Sequence, residues 1–333
     1  MMQTERGVVI AGIGTALPER RMLNKEFESR FDTSDAWIVQ RTGIRERRVG
    51  GDTAGLATEA LSAALVDAGL QPADIDGLIV ATSTPSHQIP ATAATIQQRL
   101  GMVCGGFDLN AACAGFVYGL ISGCQLVSGG ARHVAVIGAD TLTQMTDPND
   151  RGTAFLFGDG AAAVILSESG AGPGLASWDA GTDPGALRSL YAEHNEFLKM
   201  DGQEVFRRAV RAVVTSCKAA LGRAGVDPGD VKLFVPHQAN LRIIEAAASR
   251  LGIPMDRCAV VIEDTANTSA ASIPLALAAG VRDSRLTTGD VVLMCGFGAG
   301  LTWATAVLRW GTPDSRGQVI AASPSVGRHD DPT

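Results

Sequence analysis

Four short stretches hold groups that could do nucleophilic chemistry: NAACAGF at 110–116, VPHQAN at 235–240, ANTSAAS at 266–272 and GFGAG at 296–300. Cys113 follows Phe107-Asp108-Leu109, which reads as a strand end, and precedes a helical stripe of Phe116, Leu120, Cys124 and Val127. The thiol therefore stands at or near a helix N-terminus, where the dipole and free N–H groups favour an anion and lower a thiol's pKa. A packed small residue at a strand–helix junction fits the same pattern. His237 directly follows an apolar strand, and a neutral imidazole there could donate to or accept from a reacting carbonyl. A lone histidine, one of five in the chain, is more often a surface or satisfied residue. The Asn267 amide could stabilise negative charge developing on oxygen, or only cap the helix that follows. The glycine-rich loop could present backbone N–H groups as an oxyanion hole, or be a tight turn.

Elements far apart in sequence must bring these loops together. ALVDAGLQPADIDGLI at 64–79 and ALGRAGVDPGDVKLFV at 220–235 agree at six of 16 positions, with four further apolar exchanges. Each reads as a helix end, a glycine cap, a proline-containing turn and a buried strand. RLGM at 99–102 echoes RLGI at 250–253, and HVAVIGAD at 133–140 echoes DVVLMCGFGAG at 290–300. The period is about half the chain, which indicates a duplicated domain and not a solenoid. Within each half strands alternate with helices. The helix 53–68 carries Leu56, Ala60, Ala64 and Ala68 on one stripe, with Asp52 or Thr53 as N-cap; the helix 203–222 carries Phe206, Val210, Cys217 and Leu221. The alternation predicts mostly parallel sheets, helices on both faces, and chemistry at the C-terminal strand ends.

The 333 residues, 46% apolar, suffice for one large domain or two fused ones. A net charge of −7 argues against general nucleic-acid binding. The first apolar run, Val8 to Ile13, is too short for a signal core, and no run approaches the about 18 apolar residues of a membrane span. Six scattered cysteines without a C-x-x-C pair point to reduced thiols in a cytoplasmic protein, with no metal site. Arg207, Arg208, Arg211 and Lys218 concentrate on one predicted helix, with Arg242 and Arg250 beyond it. They read as a solvated face or as a basic patch on an acidic protein. After Trp310 the chain is polar and rich in Pro, Gly and Ser, which reads as a disordered tail.

Cysteine, histidine and asparagine are also a papain-type set, in which the asparagine orients the histidine. A wider set of motifs points elsewhere. AACAGF, VPHQAN, NTSAASIP and GFGAGLTW, with DTSDAWIVQRTGIRERR at 32–48 and DRGTAFLFGDGAAAV at 150–164, together resemble β-ketoacyl-acyl carrier protein synthase III, a thiolase-fold condensing enzyme. The resemblance runs from about residue 8 to Trp310. It implies an α/β, thiolase-like fold of duplicated βαβαβαββ halves in a five-layered αβαβα sandwich. The N-terminal half, 1–170, would carry the cysteine, and the C-terminal half, 171–310, the histidine and asparagine; 311–333 would be the tail. A homodimer is implied, with no cofactor beyond the substrates.

The resemblance further implies that Cys113 takes a short acyl group from acyl-CoA, and that His237 and Asn267 bind the thioester oxygen of malonyl-acyl carrier protein. Decarboxylation then gives a carbanion that attacks acyl-Cys113. Backbone N–H groups of Cys113 and Ala299 would hold the other oxyanion, and Phe297 matches an aromatic that helps expel carbon dioxide. Trp37 and Arg151 match the pair that sandwiches adenine; Thr33, Arg41, Gly202, Phe206, Asn240 and Arg242 match the rest of the CoA tunnel. The basic helix, with Arg242 and Arg250, becomes a docking patch for the acidic carrier protein. Ile89 stands where some relatives carry Phe; that residue enters the partner subunit's acyl pocket, and a smaller one leaves room for a longer or branched primer. Ala266 and Ala299 replace residues that are often glycine. Cys104, Cys124, Cys217, Cys258 and Cys295 are read as packing residues, and with no cysteine inside GFGAG a thiolase proper is disfavoured. Two alternatives stand beside this reading: a starter-unit synthase or acyltransferase of a polyketide or other secondary pathway, and a non-catalytic carrier-docking partner.

Overall fold

A computed structural model describes residues 7–169 and 174–311. The first half begins with β1 (Gly7–Ala16), followed by a cap of β2 (Arg21–Leu23), α1 (Lys25–Glu28), α2 (Asp35–Thr42) and β3 (Glu46–Arg48). It continues as α3 (Thr53–Ala68), β4 (Gly77–Ala81), α4 (Thr92–Leu100), β5 (Gly105–Leu109), α5 (Gly115–Ser128), β6 (His133–Thr141) and β7 (Asp159–Ser169). The second half runs β8 (Gly174–Thr182), a small hairpin of β9 (Leu190–Tyr191) and β10 (Lys199–Met200), α6 (Gly202–Ala224), β11 (Val231–Pro236), α7 (Leu241–Leu251), α8 (Ile262–Thr265), α9 (Ser272–Arg282), β12 (Val291–Gly298) and β13 (Thr302–Arg309).

The first sheet has the order β1-β7-β6-β4-β5, with β4 parallel to β5 and β6, and β7 antiparallel to β6 and β1. The second repeats the scheme as β11-β12-β13-β8, with β13 as the antiparallel strand. Its counterpart of β5 shrinks to one parallel bridge, Phe234 to Cys258. Side chains take over the backbone groups a full strand would pair. Gln238 donates to Ala259 O and accepts from Val261 N–H, and Arg285 donates to Cys258 O.

Strand alternation sends side chains into three apolar layers. Leu78 and Val80 of β4 pack outward with Leu61 and Leu65 of α3 and Ile96 of α4. Ile79, Val136 and Val164 pack inward on Phe116 and Leu120 of α5 and Ile273 and Leu277 of α9, which also meet Leu233, Val292 and Met294 of the second sheet. Phe234, Leu293 and Cys295 face α6 and α7 on the far side. Helices, sheet, helices, sheet and helices thus make five layers around two mixed sheets. The α3 cap is Asp52, which accepts the Gly55 N–H at 2.8 Å, while Thr53 is buried on Thr84 and Thr141. Of the polar tail only Gly311 is among the described residues.

Candidate active site

The C-terminal ends of the parallel strands open on one cavity of about 1310 Å³. Cys113, His237, Asn267, Phe297 and Ala299 all line it. Cys113 sits in a single helical turn, Ala112–Ala114, between β5 and α5. Gly298 permits this packing: a Cβ there would lie 2.6 Å from the Cys113 nitrogen. The expected depression of the thiol's pKa does not hold. Burial pushes Cys113 up to about 12, and the Asp140 charge acts in the same direction, against hydrogen bonds from the Ser269 hydroxyl and the residue's own N–H. The α-helix proper begins only at Gly115, so the field of its N-terminus is outweighed by loss of water around the sulfur.

His237 follows the last residue of β11 and donates its N–H to Cys295 O at 2.8 Å. Its Nδ1 lies 2.6 Å from Ser272 Oγ. That hydroxyl also accepts the Gln238 N–H at 3.3 Å; with its own proton given to Nδ1, the ring proton resides on Nε2 and is free for the cavity. Burial lowers the imidazole to about 3, which keeps it neutral at physiological pH. The ring stands edge-on to Phe297, centroids 5.2 Å apart. Asn267 Oδ1 accepts the Ser269 N–H at 2.9 Å, which leaves the amide NH₂ as the end that can donate into the cavity. The two side chains are therefore neutral donors near a buried sulfur, an arrangement suited to negative charge on oxygen and not to a histidine base oriented by asparagine.

Toward the mouth, α2 places Trp37 and Arg41 one turn apart, capped by Ser34 and ended by Gly43 at φ 81°. Gly202, Phe206, Asn240 and Arg242 also line the cavity. Asn240 caps α7 and donates to Arg41 O, and the Arg242 guanidinium lies 5.9 Å from the Phe206 ring centroid. Thr33 and Arg151 are not among the lining residues. Arg151 stacks on Trp37 at 4.8 Å while donating to Asp32 O, so the expected adenine slot is closed by its own wall. Ile89 is 85% exposed and lines no part of this cavity.

The expected basic patch is smaller than its sequence. Arg207 pairs with Glu204 at 2.6 Å, and the half-buried Arg208 pairs with both Glu204 and Asp183. Arg211, Lys218, Arg242 and Arg250 stay exposed. Sequence reasoning missed Ser272, which meets His237 Nδ1, Asp140 and Ser269, which act on the Cys113 thiol, and the β9–β10 hairpin, whose Tyr191, His194 and Phe197 line the cavity. Only the strand-end position of Asp140 hinted at it. Among the described residues, no helix is long and apolar enough to cross a membrane.

The duplicated five-layer fold defines a thiolase-like condensing enzyme. Comparison with known proteins narrows the class. The family model described as 3-oxoacyl-[acyl-carrier-protein (ACP)] synthase III matches residues 107–184, and the model of its C terminal matches 221–310. The beta-ketoacyl-[acyl-carrier-protein] synthase III of Sinorhizobium medicae is 48% identical over 322 residues, covering 91% of this chain and 99% of its own. Synthase III 1 of Bacillus anthracis is 44% identical over 309 residues, with the same two coverages. The crystal structure of the Aquifex aeolicus synthase III superposes with a TM-score of 0.89 at 40% identity, over 91% of this chain and 100% of that one. The priming β-ketosynthase of the R1128 polyketide pathway gives 0.87 at 39% identity, over 94% and 99%. The chain belongs to the β-ketoacyl-[acyl-carrier-protein] synthase III family, acyltransferases that initiate fatty acid synthesis.

Proposed function

We propose that the chain acylates Cys113 from a short acyl-CoA and condenses that group with malonyl-acyl carrier protein, releasing carbon dioxide and 3-ketoacyl-acyl carrier protein. The observation that carries this reading is the convergence of Cys113, His237 and Asn267 on one cavity, with both donors neutral. The barrier to decarboxylation lies in the enolate's charge, and one well-placed donor is worth about a hundred- to a thousandfold in rate. Nε2 of His237 and the Asn267 amide supply two. The N–H groups of Cys113 and Ala299 hold the oxyanion of the acyl transfer, and Phe297 borders the place where the carboxylate leaves.

CoA enters past Trp37, Arg41, Gly202, Phe206, Asn240 and Arg242, with Arg151 swinging off the indole to admit adenine; Thr33 borders that entry from the cap. Arg242, Arg211, Lys218 and Arg250 form the carrier-protein surface, reinforced by Arg207 and Arg208 once their carboxylates yield. We divide the chain into a cysteine half, 1–170, and a histidine–asparagine half, 171–310, and place it in the cytoplasm. A homodimer is supported by the free edge of β5, where Phe107 is 46% exposed and neighbouring Val103 fully so; bare edges of this kind are ordinarily covered. Ile89, directed away from its own cavity, is then available to the partner's.

Intact-mass measurement after incubation with an acyl-CoA tests the reading. One acyl adduct is expected on the wild type and none on Cys113→Ala; an adduct of equal yield on Cys113→Ala would sink it. A starter-unit role in a polyketide pathway is the second reading, favoured by the likeness to the R1128 priming enzyme. A ladder of straight and branched acyl-CoA primers separates the two.

A further inference from the structure

Among the described residues, Arg47 of β3 is the largest side chain that is fully buried. Burial lowers its pKa to about 10, so it is charged near neutrality. The carboxylates whose fields reach it are engaged elsewhere. Glu46 pairs with Arg21 and Arg48, Glu26 pairs with Arg20, and Asp35 accepts from Asn24. The guanidinium donates to neutral oxygens instead: Nη1 to Met22 O at 3.1 Å, and Nη2 to Asn24 Oδ1 and Phe155 O, both at 2.8 Å. It also lies 4.8 Å from the Phe27 ring centroid. A buried cation without an ion pair is expensive, and an apolar side chain of similar volume often serves stability as well or better. The value of Arg47 therefore lies in what it holds in place.

Two of its bonds lead to α2. Asn24 is itself buried, and its Nδ2 donates to Asp35 Oδ1 (2.9 Å) at the start of α2 and to Ile44 O (2.7 Å) just beyond its end. A helix of eight residues takes its place from tertiary contacts and not from propensity. Asn24 clamps it at both ends, and Arg47 fixes Asn24. Phe155 is the second link. Its ring meets Trp37 edge to face, with centroids 5.8 Å apart, and meets Phe27 in the same manner. The backbone oxygen that Arg47 holds thus belongs to the residue against which the indole rests. Arg151, which also lies on that indole, is exposed.

We propose that Arg47 is a positioning residue for acyl-CoA: through Asn24 and Phe155 it fixes Trp37 as the rigid wall of the nucleotide slot, so that Arg151 is the wall that moves. The inference rests on the reading of Trp37 and Arg151 as the adenine-binding pair. A wall set in advance spares the cost of ordering it when the ligand binds. Loosening it weakens donors that carry the nucleotide and spares those that do not. It also changes binding and leaves the chemistry at Cys113 alone.

Acylation by acetyl-CoA and by S-acetyl-N-acetylcysteamine, a thioester without the nucleotide, followed by intact mass, tests this. Acylation is the step to read, because Leu156 O, next to Phe155, accepts the Asn267 N–H and Asn267 serves the later condensation. Asn24→Ala and Arg47→Met should each raise KM for acetyl-CoA by about tenfold with the maximal rate unchanged. The second-order rate of the short donor should stay at the wild-type value. Arg47→Lys reaches fewer of the three oxygens and should fall between. Asp35→Ala alters an exposed side chain, where folding is not at risk, and should raise the same KM by about threefold. In a Trp37→Ala background, Asn24→Ala should cost acetyl-CoA nothing more. Equal losses with both donors would overturn the proposal, since that is what general loosening produces. So would an unchanged KM in Asn24→Ala and Asp35→Ala, or full additivity with Trp37→Ala. A wild-type preference for acetyl-CoA that survives Trp37→Ala is a different result, which removes the adenine reading itself.

Discussion

The turn that carries the nucleophile and the turn that carries the asparagine are the same turn built twice. Asn110 Oδ1 accepts the Ala112 N–H, and Asn267 Oδ1 accepts the Ser269 N–H. Ala112 and Ser269 both hold positive φ, 47° and 51°. Ala114 N–H then donates to Ala111 O, as Ala271 N–H donates to Thr268 O, each at 3.1 Å. Cys113 thus corresponds to Ala270. The strands behind them correspond as well, with Gly138 matching Gly296 and Asp140 matching Gly298. The difference is instructive. In one half a carboxylate oxygen, Asp140 Oδ2, receives the Ala270 N–H. In the other, glycine stands in place of that carboxylate, so no side chain from the strand meets the Cys113 N–H, and in the proposed reaction a substrate oxyanion takes the carboxylate's part. Duplication made two anion-binding turns. One is filled by the protein's own carboxylate; the other, with Gly298 in the carboxylate's place, is the one to which the proposed function assigns the chemistry.

Filling the Gly298 turn should have the largest effect. A Cβ at Gly298 would meet the Cys113 nitrogen at 2.6 Å and the Ala112 Cβ at 2.8 Å. Gly298→Ala is expected to slow acylation by at least about a hundredfold, through displacement of an oxyanion donor. The overpacking should lower stability by about 1–3 kcal/mol. Single-turnover acylation with a parallel denaturant titration measures both, and a stable variant that acylates normally would break the comparison of the two turns. A somewhat smaller effect distinguishes the two asparagines. Asn267→Ala should lose about a hundredfold in malonyl decarboxylation, because the proposed reaction places its amide on the reacting oxygen. Asn110→Ala loses a hydrogen bond of the same kind and should cost about 1 kcal/mol of stability, with decarboxylation nearly intact. Equal losses of activity would mean that both asparagines only hold their turns.

Much of this was legible in the sequence, and what was not shares a cause. The duplication followed from local patterns repeated at half-chain spacing, and the four loops followed from small or polar residues at strand ends. Glu204 stands at helical pairing distance from Arg207 and Arg208, which the reading as a basic patch passed over; Asp183, on a distant segment, left no local signal. The Cys113 pKa was misjudged because helix-end position is visible in sequence and burial is not. Asp140, Ser269 and Ser272 stayed hidden for a related reason. Each acts by a hydrogen bond across elements far apart in the chain, and serine or aspartate at a strand end is common in turns. The shortened third strand of the second half depends on Gln238 and Arg285 reaching backbone groups over a gap that no periodicity records.

The smallest predicted effect concerns acid stability and separates the two halves by their titrations. His237 has a folded-state pKa of about 3, against 6.5 for an ordinary histidine, and burial is the sole cause. A base whose folded pKa is depressed takes up its proton more readily when unfolded. Stability is therefore unaffected well above pH 6.5 and falls as the pH drops from there toward 3, by about 1.4 kcal/mol per unit at most. Asp140 acts in the opposite sense. Its pKa is raised by burial, so in the range where the unfolded carboxylate has ionised and the folded one has not, acid favours the folded state. His237→Gln keeps a polar side chain that cannot charge, and its stability should be flatter than the wild type's between about pH 6 and about pH 4. Equal slopes in denaturant titrations across that range would mean that the imidazole protonates freely in the folded protein. It could not then serve as the neutral Nε2 donor that distinguishes the second half from the first.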